Sequence, residues 1–241
     1  MANLYDGNGN SISVGGGSGV QTALAGANII AFGDSNVYYT YGHSLTDIGS
    51  MFYRLWREFG INTLINNGSN GAKTCNVWTQ LKNYMTPERI EQYNNENTIL
   101  IFHSGTNDPL NHLTTTNTGN FANTATWGDC NNSYWGIDWI NQFIQAYLPK
   151  AKYFWVIPMG TMWSKWTGST SPDDRNMAEK YPHFVEILNS FNFPYIDAYA
   201  QSGISPMILS DGIHLGGGGI DYTTIGTEKY YRFLRAKLMS L

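Results

Sequence analysis

Charge is scarce in this chain: Asp, Glu, Lys and Arg make up 13% of its 241 residues, 18 acidic against 14 basic. With a formal net charge of −4 and no basic run, neither nucleic acid nor an anionic membrane is an expected partner, since both demand clustered cations. Cysteine is rarer still. Cys75 and Cys130 fit no metal-ligand spacing and form no disulfide framework, so free thiols are expected. No group of His, Cys and Asp has ligand spacing either, and no metal or other cofactor is expected. No apolar run is long enough to span a bilayer. The stretch from Met1 to Asn10 lacks the basic and apolar segments of a secretory signal, which leaves the compartment unassigned. Internal repeats are absent.

What the chain has in quantity is aromatic and neutral polar side chains. Phe, Trp and Tyr are 15% of it, enough for a packed core, and the length suits one sizeable α/β domain. Asn, Thr, Ser, Gly and Tyr supply a surface suited to uncharged polar material such as glycans. Residues 1–26 form a Gly/Ser/Asn-rich lead. Asp6-Gly7 and Asn8-Gly9 are turn signals there, and Gly15 to Gly19 is a flexible stretch. This lead is expected to be a small hairpin or an attachment arm, with the domain proper at 27–241.

From Asn28 onward, short apolar runs alternate with helical periods. Strands are expected at Asn28 to Phe32, Asn62 to Asn66, Thr98 to His103, Lys152 to Ile157 and Pro194 to Asp197. Most are continuous apolar runs of the kind covered on both faces. Ile48, Met51, Phe52, Leu55, Trp56 and Phe59 recur at helical spacing before a stop at Gly60. Trp135, Trp139, Phe143 and Tyr147 form a second helical row, read as core. Further helices are expected over Asp174 to Ser190, interrupted at Pro182, and Thr227 to Met239. This alternation predicts a parallel sheet with helices on both sides, with sites gathered at the carboxyl ends of its strands.

Those strand ends carry unusual chemistry. The first ends in Gly33-Asp34-Ser35, which leaves a hydroxyl at a strand-to-helix turn. The second ends in Asn66-Asn67-Gly68-Ser69-Asn70-Gly71, the third in Ser104-Gly105-Thr106-Asn107-Asp108. Asp211-Gly212-Ile213-His214 lies before the last helix. A serine hydroxyl is a poor nucleophile until an imidazole takes its proton. The imidazole in turn needs a carboxylate to hold its tautomer. A developing oxyanion needs fixed donors, which the N–H groups of Ser35 and Gly71 and the Asn107 amide could supply.

These four blocks, in this order, resemble the SGNH hydrolases, also called GDSL-type esterases and lipases. The resemblance runs from about Asn28 to the end of the chain. It implies Ser35 as nucleophile, His214 as base, Asp211 as its orienting acid, and Ser35, Gly71 and Asn107 as the oxyanion hole. Gly68 competes with Gly71 for its role, and the first block lacks the leucine of the older family pattern. The implied fold is a three-layer α/β/α, flavodoxin-like domain with a parallel sheet of about five strands in the order 2-1-3-4-5. The implied activity is ester hydrolysis through an acyl-enzyme. O-acetyl groups on carbohydrate are favoured, because the loops are polar and aromatic and no long apolar lid is evident. Alternatives are a lipase or thioesterase acting on longer acyl chains, or a glycan-binding module of a phage or surface assembly.

Other residues have blander expectations. Asp34 reads as structural, and His103 as support from behind its strand. Gly216 to Gly219 reads as a rim beside His214, because no Lys-Ser/Thr follows it as a phosphate loop would require. Substrate contacts are assigned to rings in the loops after strands one, three and four: Tyr38 with Tyr39 and Tyr41, then Trp127, then Trp163 and Trp166 with Met162. Each could equally fill a gap in the core.

Overall fold

The structure, a computed structural model, describes Leu4–Tyr5, Ser11–Ile12 and residues 24–44, 46–113, 132–161, 176–209, 211–216 and 221–241. Five strands form one parallel sheet: β1 (Asn28–Gly33), β2 (Thr63–Gly68), β3 (Thr98–His103), β4 (Lys152–Ile157) and β5 (Tyr195–Asp197). Their order is β2-β1-β3-β4-β5, the order the resemblance implies. Leu4–Tyr5 separately pairs antiparallel with Ser11–Ile12. The helices are α1 (Ser35–Thr40), α2 (Met51–Phe59), α3 (Thr74–Tyr84), α4 (Pro87–Tyr93), α5 (Ser133–Tyr147), α6 (Met177–Ser190), α7 (Ala198–Gln201) and α8 (Ile225–Leu238).

The three layers follow from the period-two alternation of the central strands. Ile29, Ala31, Ile99, Ile101 and Val156 turn to one face and pack with Phe52, Leu55, Tyr230 and Leu234. Ile30, Phe32, Leu100, Phe102 and Trp155 turn to the other and pack with Val77, Leu81, Ile140, Ile144 and Phe184. Both faces are buried, so β1 and β3 need apolar residues at every position. β2 lies at the sheet edge, where all six of its residues are only half-buried, and there the polar pair Asn66-Asn67 is tolerated.

Several expectations are corrected. α2 begins at Met51, after Ser50 accepts the Tyr53 N–H, so Ile48 precedes the cap and is 75% exposed. Pro182 sits inside α6 without ending it. On α5 the buried row is Ile137, Ile140 and Ile144, whereas Trp135, Trp139 and Phe143 are half-buried and Tyr147 is exposed. The aliphatic row fills the core above the sheet, and Phe143 packs against its edge. Cys75 is not a free thiol but disulfide-bonded; the sequence's other cysteine, Cys130, lies outside the described residues. Spacing along a chain does not report proximity in space, which is why composition misled here.

Gly33 marks the tightest point of the sheet. A β carbon there would lie 2.2 Å from the His103 carbonyl oxygen and 2.5 Å from Val37 Cγ2. Gly33→Ala is therefore expected to destabilise the fold by about 1–3 kcal/mol or more, read as a lower urea midpoint. A midpoint equal to wild type would refute this crowding.

Candidate active site

β1 ends where Asp34 turns the chain into α1. The Asp34 N–H donates to the His103 carbonyl at 3.1 Å, and Asp34 Oδ1 accepts the Asn36 N–H at 2.9 Å, capping the helix. Gln80 of α3 clamps the same turn. Its Oε1 accepts the Gly33 N–H at 2.9 Å, while its Nε2 donates to the Gly33 carbonyl and to Ser69 Oγ, each at 2.9 Å. Ser35 is thus fixed at the first position of α1, with its Oγ 2.8 Å from His214 Nε2.

The imidazole is held from behind. Asp211 Oδ2 lies 2.5 Å from His214 Nδ1. Asp211 Oδ1 accepts the N–H groups of Ile213 and His214 at 2.9 and 2.8 Å. Burial would raise the Asp211 carboxyl, but these hydrogen bonds outweigh it and hold the group down at about 2. Asp211 is therefore a carboxylate wherever an imidazole titrates. The Tyr39 ring meets the His214 ring edge-on at 5.7 Å. α8 closes the back: its Thr224 cap donates a hydroxyl to the Leu215 carbonyl at 2.5 Å.

Across from Ser35 lie the loops after β2 and β3. Gly71 is exposed at φ +74, and a β carbon there would meet no atom within 4 Å. Gly68 differs. Its β carbon would lie 2.5 Å from Tyr38 N and 2.8 Å from Val37 Cβ, so glycine is needed there for α1 to pack. Asn107 Nδ2 donates to the Ala72 carbonyl at 3.1 Å, which ties the two loops together. Asp108, fully buried, accepts the Thr74 N–H with both oxygens at 3.1 Å, the Thr74 hydroxyl at 3.1 Å and the Ser133 hydroxyl at 2.5 Å. Lys180 is buried on α6, and its ammonium donates to the Thr106 carbonyl at 2.8 Å.

Beneath the site is a buried polar floor. The Tyr41 and Tyr230 hydroxyls lie 2.8 Å apart, and His103 Nδ1 is 3.0 Å from the Tyr230 hydroxyl and 3.3 Å from that of Tyr41. Burial pushes His103 down to about 3, so this imidazole is neutral. Tyr41, expected at the rim, is wholly inside: its hydroxyl finds partners only in the core, and its ring packs on Phe52.

In comparison with solved structures, the chain matches a lipase/acylhydrolase from Enterococcus faecalis at 17% identity and a TM-score of 0.52, covering 89% of this chain and 96% of that one. It also matches a catalytic mutant of an acetylxylan esterase from Geobacillus stearothermophilus at 14% identity and a TM-score of 0.53, covering 89% and 94%. A protein from Lactobacillus plantarum matches at 14% identity and a TM-score of 0.55, covering 90% and 98%. The fold is that of the SGNH hydrolases. No family model matches the chain, and no curated protein does.

Of the residues singled out from the sequence, this SGNH fold brings Ser35, His214 and Asp211 into one hydrogen-bonded chain. It also joins Asn107 to the loop of Gly71. Tyr38 stands at the surface, with its ring 4.6 Å from that of His43. Trp127, Trp163, Trp166 and Met162 lie outside the described residues, as do three of the four glycines after Leu215. Gln80 and Lys180 escaped notice in the sequence. Lys180 had a signal, because it falls between Met177 and Phe184 on the apolar face of α6; Gln80 had none.

Asp34 is fully buried. Desolvation pushes it up to about 7, against the Asn36 N–H and His214, which favour the charge. A carboxyl raised from 3.8 to about 7 favours the fold while protonated, and that contribution is lost as pH rises through about 7. Asp34→Asn keeps the cap and cannot ionise. The variant is expected to gain stability relative to wild type between pH 5 and pH 8, followed by urea midpoints. A constant difference across that range would contradict a neutral Asp34.

Proposed function

We propose that this chain is a serine esterase that cleaves carboxylic esters through a covalent acyl-enzyme, acting on O-acetyl groups of a carbohydrate. The observation that carries the reading is the unbroken run of hydrogen bonds from Ser35 Oγ through His214 to Asp211. Ser35 Oγ attacks the ester carbonyl carbon as its proton passes to His214 Nε2. Asp211, a carboxylate throughout, holds Nδ1–H and stabilises the imidazolium. The carbonyl oxygen takes up the displaced electron pair and is received by the N–H groups of Ser35 and Gly71 and by the second amide hydrogen of Asn107. Collapse expels the alcohol, which leaves with the proton from Nε2. Water, deprotonated by the same nitrogen, then releases the acid and restores Ser35.

The positioning contacts support this division of labour. Asp108 and the bond from Asn107 to the Ala72 carbonyl hold the donors of two loops against one another before substrate arrives, the preorganisation on which oxyanion stabilisation depends. Lys180, bonded to the Thr106 carbonyl, adds a buried positive charge one residue from Asn107. Ser35 is only 2% exposed, and the described ring against its partner His214, that of Tyr39, ends in a polar group. A short acyl group on a sugar suits such a mouth better than a long aliphatic chain. The acetylxylan esterase among the structural neighbours lends weight to the same substrate class.

Hydrolysis of p-nitrophenyl acetate tests the assignment. Ser35→Ala is expected to lower kcat by about 10⁴ or more, Asn107→Ala by about 10²–10³, and a chelator to leave the rate unchanged. Undiminished turnover by Ser35→Ala would remove the nucleophile from the scheme. Acetate release from a panel of acetylated glycans, set against cleavage of long-chain esters, tests the substrate; preference for the latter would favour a lipase.

The pH dependence has a worked sign. A general base works only while neutral, so kcat/KM falls on the acid side of the profile. Asp211, lowered from 3.8 to about 2, adds no second ionisation until about pH 2. Its contribution to stability is present above pH 3.8 and lost as pH falls towards 2. Asp34, raised to about 7, is a second carboxyl on this limb, so the profile is read in Asp34→Asn, where two acid-side ionisations above pH 4 would count against a permanently charged Asp211.

A further inference from the structure

The aromatic row of α5 is used only in part by the core, against whose edge Phe143 packs together with Trp78 of α3. Ile137, Ile140 and Ile144 fill the space above the sheet, yet Trp139, Phe143 and Tyr147 stand beside them, and the last is 53% exposed. α3 and α5 come together at their N-terminal ends. There a β carbon on Gly136 would lie 3.4 Å from Cys75 Cα, and Asp108 binds Thr74 and Ser133 together. Further along, a cleft of about 450 Å³ opens between Trp78 and Lys82 on one helix and Trp139, Gln142, Phe143 and Tyr147 on the other.

The chemistry of this cleft is selective. Trp78 meets Trp139 at 5.4 Å and 67°, and meets Phe143 at 5.8 Å and 70°; Phe143 meets Tyr147 at 5.0 Å. Among the described residues, these rings meet one another at angles along the walls of the cleft. A pyranose presents a face of C–H bonds to such a wall and hydroxyls at its edge, and the negative face of an aromatic ring attracts those hydrogens. Polar groups for the hydroxyls are at hand. Lys82 brings an ammonium, and Gln142 donates its Nε2–H to Asp138 Oδ2 at 2.8 Å, which orients its carbonyl oxygen as an acceptor. Among the described residues of the lining, Ala146 is the only aliphatic side chain.

We propose that this α3/α5 cleft is a second, non-catalytic glycan-binding site, which takes a few units of a neutral sugar chain. With the esterase reading, on which this part rests, it follows that the substrate is a polymer held at two places. Binding itself does not depend on that reading.

Unacetylated hexasaccharides of β-1,4-linked xylose, glucose, mannose and N-acetylglucosamine are the probes, titrated against the whole chain by calorimetry and tryptophan fluorescence. At least one is expected to bind saturably, with half-saturation at about 1 mM or below. Tyr147→Ala and Trp78→Ala should each weaken that binding about tenfold, or roughly 1.4 kcal/mol. Tyr147 is exposed, so its variant remains informative if loss of Trp78 compromises folding. p-Nitrophenyl acetate turnover should be unchanged in Tyr147→Ala, while kcat/KM on an acetylated polysaccharide falls several-fold.

Failure of all four sugars to bind would overturn the proposal, and so would binding indifferent to both substitutions. A dimer in sedimentation equilibrium that Tyr147→Ala dissociates would make a second copy the occupant and equally overturn it. Hexasaccharide binding without ester turnover would leave the cleft standing and remove only the esterase reading.

Discussion

Parallel pairing in register is the constraint on which this molecule depends. Gly33 stands opposite both Gly68 and His103, His103 opposite Val156, and Val156 opposite Ile196. Because the strands run in one direction with these residues level, the chain leaves the sheet at one height after β1, β2 and β3. Three loops are thereby delivered to a single rim, and α8 places the fourth segment against them through Leu215. Hydroxyl, imidazole and carboxylate come within bonding distance without any one loop reaching far.

Register alone would leave the loops loose, and buried polar groups remove that freedom. The Gln80 amide bonds both backbone groups of Gly33, the last residue of β1. Asp108 does the same for the first N–H of α3 while gripping Ser133. Lys180 meets the Thr106 carbonyl. Each is a charged or amide group inside the protein, costly if unpaired and stiffening when satisfied. Precision at the rim is therefore supplied from helices, whose packing on the sheet is fixed by the core.

Much of this was legible in the chain. The apolar runs of β1, β3 and β4 announce strands buried on both faces, and the blocks at their ends announce a serine with its partners. What escaped reading depended on three-dimensional neighbours. Gly68 and Gly71 look equivalent in sequence, and only the approach of Val37 and Tyr38 to Gly68 separates them. Tyr41 lies in a run of polar rings, but its hydroxyl is absorbed by Tyr230, far along the chain. On α5 the isoleucine and aromatic rows share one period, and periodicity could not say which would face the sheet.

The Tyr41–Tyr230 contact joins residues 189 positions apart, and Ser35 meets His214 across 179. A ribosome releases Ser35 early and His214 much later. While the chain grows, Ser35 lacks its hydrogen-bond partner and Tyr41 lacks the tyrosine that meets its hydroxyl. The rim is thus completed late: the contact of Ser35 with His214, and that of Tyr41 with Tyr230 on α8, both await segments far along the chain.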